Sequence, residues 1–170
     1  MRRSAALLVL TCAAAALAAC GKSGTQATGS EGDAGAPASA PAAAAELTDA
    51  QKAALVAELP APYDKGDVAH GKTVFLICKS CHTTVQGGAD MTGPNLWGVF
   101  GRKAGTEGTF KYSDGLKAAG WTWDAEHIDH WIADPKAVVP GTKMSFVGVK
   151  NPQDRIDLIA YLKTETSPAK

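Results

Sequence analysis

Apolar residues recur at helical spacing in several stretches of the chain, and no convincing strand pattern appears. In "ELTDAQKAALVAEL" (46–59) Leu55, Val56 and Leu59 share a face. Thr48 stands where an N-cap is needed, with Gln51 three residues on to complete a capping box, and Pro60 and Pro62 end the segment. In "GDVAHGKTVFLICKSCH" (66–82) Asp67 can cap, and Val68, Gly71, Val74, Phe75 and Cys78 fall on one side. "YSDGLKAAG" (112–120) predicts a short helix opened by Ser113 and closed by Gly120. "WTWDAEHIDHWIADP" (121–135) predicts one with Ile128, Trp131 and Ile132 inward, stopped at Pro135. In "NPQDRIDLIAYLKTE" (151–165) Asn151 caps, Pro152 takes the first helical position, and Ile156, Ile159, Ala160 and Leu162 form the apolar stripe. The expected class is all-α.

Two regions break the pattern. "TGPNLWGVFGRKAGTEGTF" (92–110) is dense in glycine and reads as one long loop, which needs something to pack on. Residues 21–45 are almost entirely Gly, Ala, Ser, Thr and Pro with hardly a large apolar side chain. Such a segment cannot bury enough surface to offset the entropy of ordering, so it reads as a tether, stiffened locally by Pro37 and Pro41.

The start, "MRRSAALLVLTCAAAALAAC", adds a compartment. Two arginines, a short apolar run and then small residues have the order of a secretory signal over residues 1–19. The run is short for a membrane span. "LAAC" resembles a bacterial lipobox, which implies cleavage before Cys20 and lipidation of that cysteine; the alternative is an ordinary signal cut at an A-x-A site. Residues 20–45 are then a lipidated start and tether, 46–61 an extra helix or arm, and 62–170 the main domain. The chain carries 17 basic and 17 acidic residues. Losing Arg2 and Arg3 leaves a slightly acidic remainder, which argues against nucleic acid as a partner.

The chemistry lies in "CKSCH". Cys78 and Cys81 are the only cysteines outside the N-terminal run. A structural zinc site needs four ligands and no second cysteine pair exists, although His127 and His130 are three apart. A thioredoxin-type pair belongs between a strand and a helix, and nothing around Cys78 reads so. C-x-x-C-H is the attachment string of c-type haem: two sulfurs bond the porphyrin vinyls and His82 reaches the iron. Haem is the leading reading, with a dithiol or metal site behind it.

"CKSCH", "TGPNLWGVFGRKAG", "FKYSDGLKAAGWTW", "PGTKMSF" and "DLIAYLK" stand in the order and spacing of class I cytochromes c. Over roughly residues 65–164 the chain resembles the mitochondrial type and its bacterial relatives. The resemblance implies N- and C-terminal helices crossing around one covalent haem c, with Gly71 and Phe75 against Leu158 and Tyr161. It implies Cys78 and Cys81 as thioether carriers, His82 and Met144 as iron ligands, and Pro94 as acceptor for the His82 ring. Met91, nine residues past His82, is the weaker candidate for the second ligand. Arg102, Tyr112 and Trp123 match residues at the haem propionates, Leu96 one that packs on the ring, and Phe146 the aromatic at the haem edge.

There are departures. Trp131 stands where Tyr is usual near the methionine, Leu116 replaces a polar residue, and Trp97 replaces a His. Lys79, Lys103, Lys136 and Lys143 keep only part of the family's lysine ring, and His70, His127 and His130 read as surface residues. The implied function is one-electron transfer by a membrane-tethered monomer facing the periplasm, between a quinol–cytochrome c oxidoreductase and a terminal oxidase or other reductase. The alternative is a haem enzyme or sensor with a displaceable methionine.

Overall fold

The computed structural model describes residues 46–167. The expected signal, Cys20 and the tether lie outside them. The elements are α1 (Asp49–Val56), a 3₁₀ turn (Tyr63–Lys65), α2 (Val68–Lys79), α3 (Asp114–Lys117), α4 (Ala125–Ala133), α5 (Pro135–Val138) and α6 (Pro152–Thr166). The described residues hold no strand, only one isolated bridge between Lys103 and Thr122.

The helices begin where side chains can satisfy the free N–H groups of a first turn. Thr48 and Gln51 form the reciprocal capping box that opens α1. Asp67 accepts from the Ala69 and His70 amides, Ser113 from Leu116, and Asn151 from Gln153. The expected stop at Pro135 needs correction. Helix α4 already ends at Ala133, and Pro135 opens α5 as its first residue, with Asp134 accepting from the Ala137 amide. Proline fits there because a first helical position has no N–H to lose.

The scaffold is the crossing of α2 and α6, the most extensive helix contact among the described elements. Two glycines permit it. A Cβ on Gly71 would stand 2.0 Å from the Asp157 carbonyl oxygen and 2.8 Å from Tyr161 Cβ, and one on Gly66 would stand 2.6 Å from Ala160 Cβ. No side chain fits at those distances, so the backbones touch. The expected partner Tyr161 is confirmed, also by its ring 5.3 Å from that of Phe75. At Gly71, however, it is Asp157 rather than Leu158 that meets the backbone.

Helix α6 is buried far beyond the predicted stripe, from Asp157 through Leu162 and again at Thr164 and Thr166. It is covered by α2, α4, α1 and the 3₁₀ turn. Thr164 and Thr166 return their hydroxyls to the Tyr161 and Leu162 carbonyls, which lets them be buried without loss. Asp157 is buried because it is fully engaged: it accepts from the Asp67 amide at 2.8 Å, from Gln153 Nε2 at 2.9 Å, and pairs with His70 Nδ1 at 2.7 Å. Burial alone would raise the Asp157 pKa, but these bonds outweigh it and hold the carboxyl below its usual range.

Candidate haem site

One end of α2 and three loops converge on a second centre. Cys78 lies in the last turn of α2, and the amides of Cys81 and His82 both donate to its carbonyl. That tight turn holds Cys78, Cys81 and His82 within one bend of the backbone. Neither cysteine is in a disulfide. Burial, with Cys81 close by, pushes the Cys78 thiol up to about 11.

His82 is fixed from two directions. Its Nδ1 lies 2.8 Å from the Pro94 carbonyl oxygen, so Nδ1–H donates and Nε2 is left with its lone pair. Its ring rests on Gly93, where a Cβ would stand 2.3 Å from Cε1. Burial lowers the His82 pKa, with the Pro94 bond opposing, so the imidazole is held neutral. A neutral, oriented nitrogen beside two unpaired thiols is the donor set that covalent haem requires.

The loop after His82 owes its shape to Asn95, which is 4% exposed. Its amide nitrogen donates to the Val85 and Gly88 carbonyls at 2.8 and 2.7 Å, and its side-chain oxygen accepts from the Trp97 amide at 2.6 Å. Asp90 accepts from the Asn95 backbone at 2.9 Å. Sequence reading passed over Asn95; a polar residue between Pro and Leu inside an otherwise apolar "GPNLW" was the available signal.

The Arg102 guanidinium donates to the Trp97 and Asn95 carbonyls, both at 3.1 Å. These bonds stiffen the same loop from its far side. Arg102, Tyr112, Asp90 and Glu107 act on one another electrostatically. Burial drives Tyr112 up to about 12 against the pull of Arg102, so its phenol keeps its proton and remains a donor. Burial and the neighbouring Asp90 carboxyl raise the Glu107 pKa as well.

Part of the predicted set packs on one cluster. Cys78, Leu96, Tyr112, Met144 and Phe146 are partly buried against one apolar cluster that includes Trp123, Trp131, Leu116 and Val99. Met91 is 49% exposed and sits in the loop beyond His82, unlike Met144. The strand-like segment 121–123 is stitched to the glycine-rich loop: Trp123 N–H donates to Arg102 O, Gly101 N–H to Trp123 O, and Ala104 N–H to Trp121 O. Lys79, Lys103, Lys136 and Lys143 are all exposed. His70 and His130 are exposed too, His70 while paired with Asp157, and His127 is half-buried and paired with Asp124.

Comparison with known proteins agrees with this arrangement. The family model "Cytochrome c" matches residues 68–166. Cytochrome c2 of Rhodomicrobium vannielii is 50% identical over 103 residues, 61% of this chain and 82% of the relative. Cytochrome c of Chlamydomonas reinhardtii is 45% identical over 112 residues, 65% of this chain and 96% of the relative. Among solved structures, cytochrome cH from Methylobacterium extorquens is 47% identical with a TM-score of 0.55, covering 58% of this chain and 99% of its own. A helical fold with C-x-x-C-H at the end of its first long helix, an oriented histidine and a methionine in the facing cluster therefore places this chain in the cytochrome c family, as an electron carrier with covalently bound haem c rather than an enzyme.

Proposed function

We propose that Cys78 and Cys81 carry the haem as thioethers, that His82 and Met144 ligate the iron, and that the protein is a membrane-tethered monomeric carrier in a respiratory chain. The bound iron supplies a one-electron couple. The residues of this chain do the rest. Pro94 and Gly93 hold the His82 ring at one orientation, which keeps Nε2 aimed in one direction. Thr142 accepts from the Met144 amide at 3.2 Å and steadies the backbone that presents the sulfur. Arg102, Tyr112 and Trp123 offer one cation and two N–H or O–H donors to the propionates, which a partly buried carboxylate needs. Leu96 and Phe146 cover the ring and its edge. A ligand set that is fixed in advance and unchanged by reduction keeps reorganisation small, and a Met/His pair favours a high potential.

The observation that carries this reading is the His82 geometry: its ring is oriented by Pro94, lies flat on Gly93, and has no protein partner at Nε2 among the described residues. The first test is the optical spectrum of the ferrous protein with and without carbon monoxide, alongside Met144→Ala. The expected wild type is six-coordinate and indifferent to the gas, while Met144→Ala keeps its haem and binds it. A Met144→Ala protein that stays low-spin with an unchanged potential removes Met144 from the iron.

Export, lipidation at Cys20 and a periplasmic haem domain complete the proposal, with a quinol–cytochrome c oxidoreductase as donor and a terminal oxidase or other reductase as acceptor. The lipobox-like "LAAC" and the polar spacer after it support the anchor. A tether also raises the local concentration of the carrier near membrane partners. Cys20→Ser is expected to move the protein to the soluble fraction. Continued membrane retention would refute the anchor.

A further inference from the structure

Three of the four tryptophans form a ladder that leads from the haem-side cluster to solvent. Trp123 and Trp131 meet at the inner end, edge to face, with ring centroids 5.7 Å apart at 62°. Trp121 meets Trp123 the same way at 5.6 Å and 78°. On its outer side Trp121 stacks on the His127 imidazole, 5.7 Å away and 20° from parallel. Trp123 and Trp131 are each 8% exposed, whereas the His127 side chain is 43% exposed and held by Asp124 at 2.8 Å. Ring to ring, the order is His127, Trp121, Trp123, Trp131.

Core packing explains Trp123 and Trp131, which fill the cluster that contains Met144 and Tyr112. Trp121 is partly buried against the same cluster, but packing accounts for its ring and not for its polar atom. The Trp121 indole N–H is buried without a hydrogen-bond partner. Leaving such a donor unmet costs stability that a phenylalanine or leucine of similar bulk would not lose. The unmet donor has a chemical consequence, however. Indole is among the most easily oxidised side chains, and its oxidised form is trapped when the N–H proton passes to a bonded acceptor. With no acceptor at Trp121, an electron vacancy on that ring stays mobile and is filled from the next indole.

Resting on the reading that Trp123 lies at the haem, we propose that Trp121 and Trp123 form an electron conduit between the haem and a surface patch at His127. Through it a one-electron oxidant draws an electron from the reduced protein without reaching the haem edge. The balance is simple. Trp121 would give one electron to an oxidant strong enough to oxidise indole, such as a photogenerated ruthenium(III) complex, Trp123 would refill Trp121, and the bound haem would supply the electron that restores Trp123. The net change is one iron(II) to iron(III) and one oxidant reduced, with no proton moved and no bond made or broken. Asp124 and Glu126 flank the patch against Lys103 across the 103–122 bridge, so a cationic oxidant is favoured.

The test uses the intact holoprotein with a photo-oxidisable bis(bipyridine)ruthenium group coordinated to His127, with His70→Gln and His130→Gln removing the competing imidazoles. After a flash, haem oxidation and any indole radical are followed by transient absorption. Trp121→Phe, which keeps an aromatic ring against Trp123, is expected to slow haem oxidation several-fold and abolish the radical. Trp97→Phe, outside the ladder, is expected to change neither. Equal rates in the Trp121→Phe protein, or no indole radical in the parent, overturn the conduit. A Trp121 radical that forms without subsequent haem oxidation also overturns it, and traces the failure to the placement of Trp123 beside the haem.

Discussion

The α2–α6 crossing and the loops around His82 are held together by opposite means. The crossing is backbone against backbone, closed by two glycines and sealed by fully buried side chains such as Leu158 and Ile159. The region from residue 80 to 113 contains no helix, and its form rests on one buried asparagine, one arginine bonded to carbonyls and glycines in left-handed conformations, among them Gly98 at φ 67° and Gly101 at φ 84°. The first region is close helix packing sealed by an apolar core; the second is a polar frame of loops. Stability is therefore concentrated in one and redox tuning in the other.

This contrast predicts separable effects. The largest belongs to the crossing. Leu158→Ala opens a cavity in a site that cannot collapse, and is expected to lower unfolding free energy by about 2–5 kcal/mol. Denaturant titration reads the loss, and the midpoint potential is expected to stay where it was. A large shift in potential would mean that the two regions are not separable.

Next comes the frame. Asn95→Ala leaves the Val85 and Gly88 carbonyls and the Trp97 amide without their partner, at a cost of about 1–3 kcal/mol. Hydrogen exchange is expected to quicken across residues 83–97, with α6 still protected. Faster exchange in α6 by the same factor would make the loop part of the crossing's cooperative unit.

The smallest effect is a pH dependence of the crossing. Pairing with Asp157 raises the His70 pKa, so this contribution is complete below the unfolded value of about 6.5. It is lost as pH climbs through the raised folded value. The Asp157 side of the network runs the other way: with a lowered folded pKa, its contribution stands above about pH 3.9 and is lost as pH falls through that lowered value. Urea midpoints of wild type and His70→Gln are expected to converge as pH rises from about 6.5. A constant gap would leave His70 with a packing role only.

The two regions also differed in how far they could be read from residues alone. Helix starts were legible because a cap is a local event: Thr48, Asp67, Ser113 and Asn151 each bond amides two or three residues away. The same logic applies to Asp134 before Pro135, where proline was taken as a stop although an acidic cap and a first-position proline together mark a start. The breadth of burial on α6 was not legible, because a 3.6-residue stripe registers one covering partner and this helix has several. At the site, Cys78, Cys81 and His82 stand out by motif spacing, and Pro94 and Met144 only through the family resemblance. Asn95 and the Trp121 stack were missed because their partners, Val85 and Gly88 on one side and His127 on the other, are set by loop geometry rather than by period.

The crossing also imposes a schedule. Asp157 follows His70 by 87 residues, so the partner that closes on α2 is among the last parts of the chain to be synthesised. Wherever the chain folds, the Gly71 contact cannot form until the C-terminal helix is present, so truncation within α6 is expected to leave α2 without its partner.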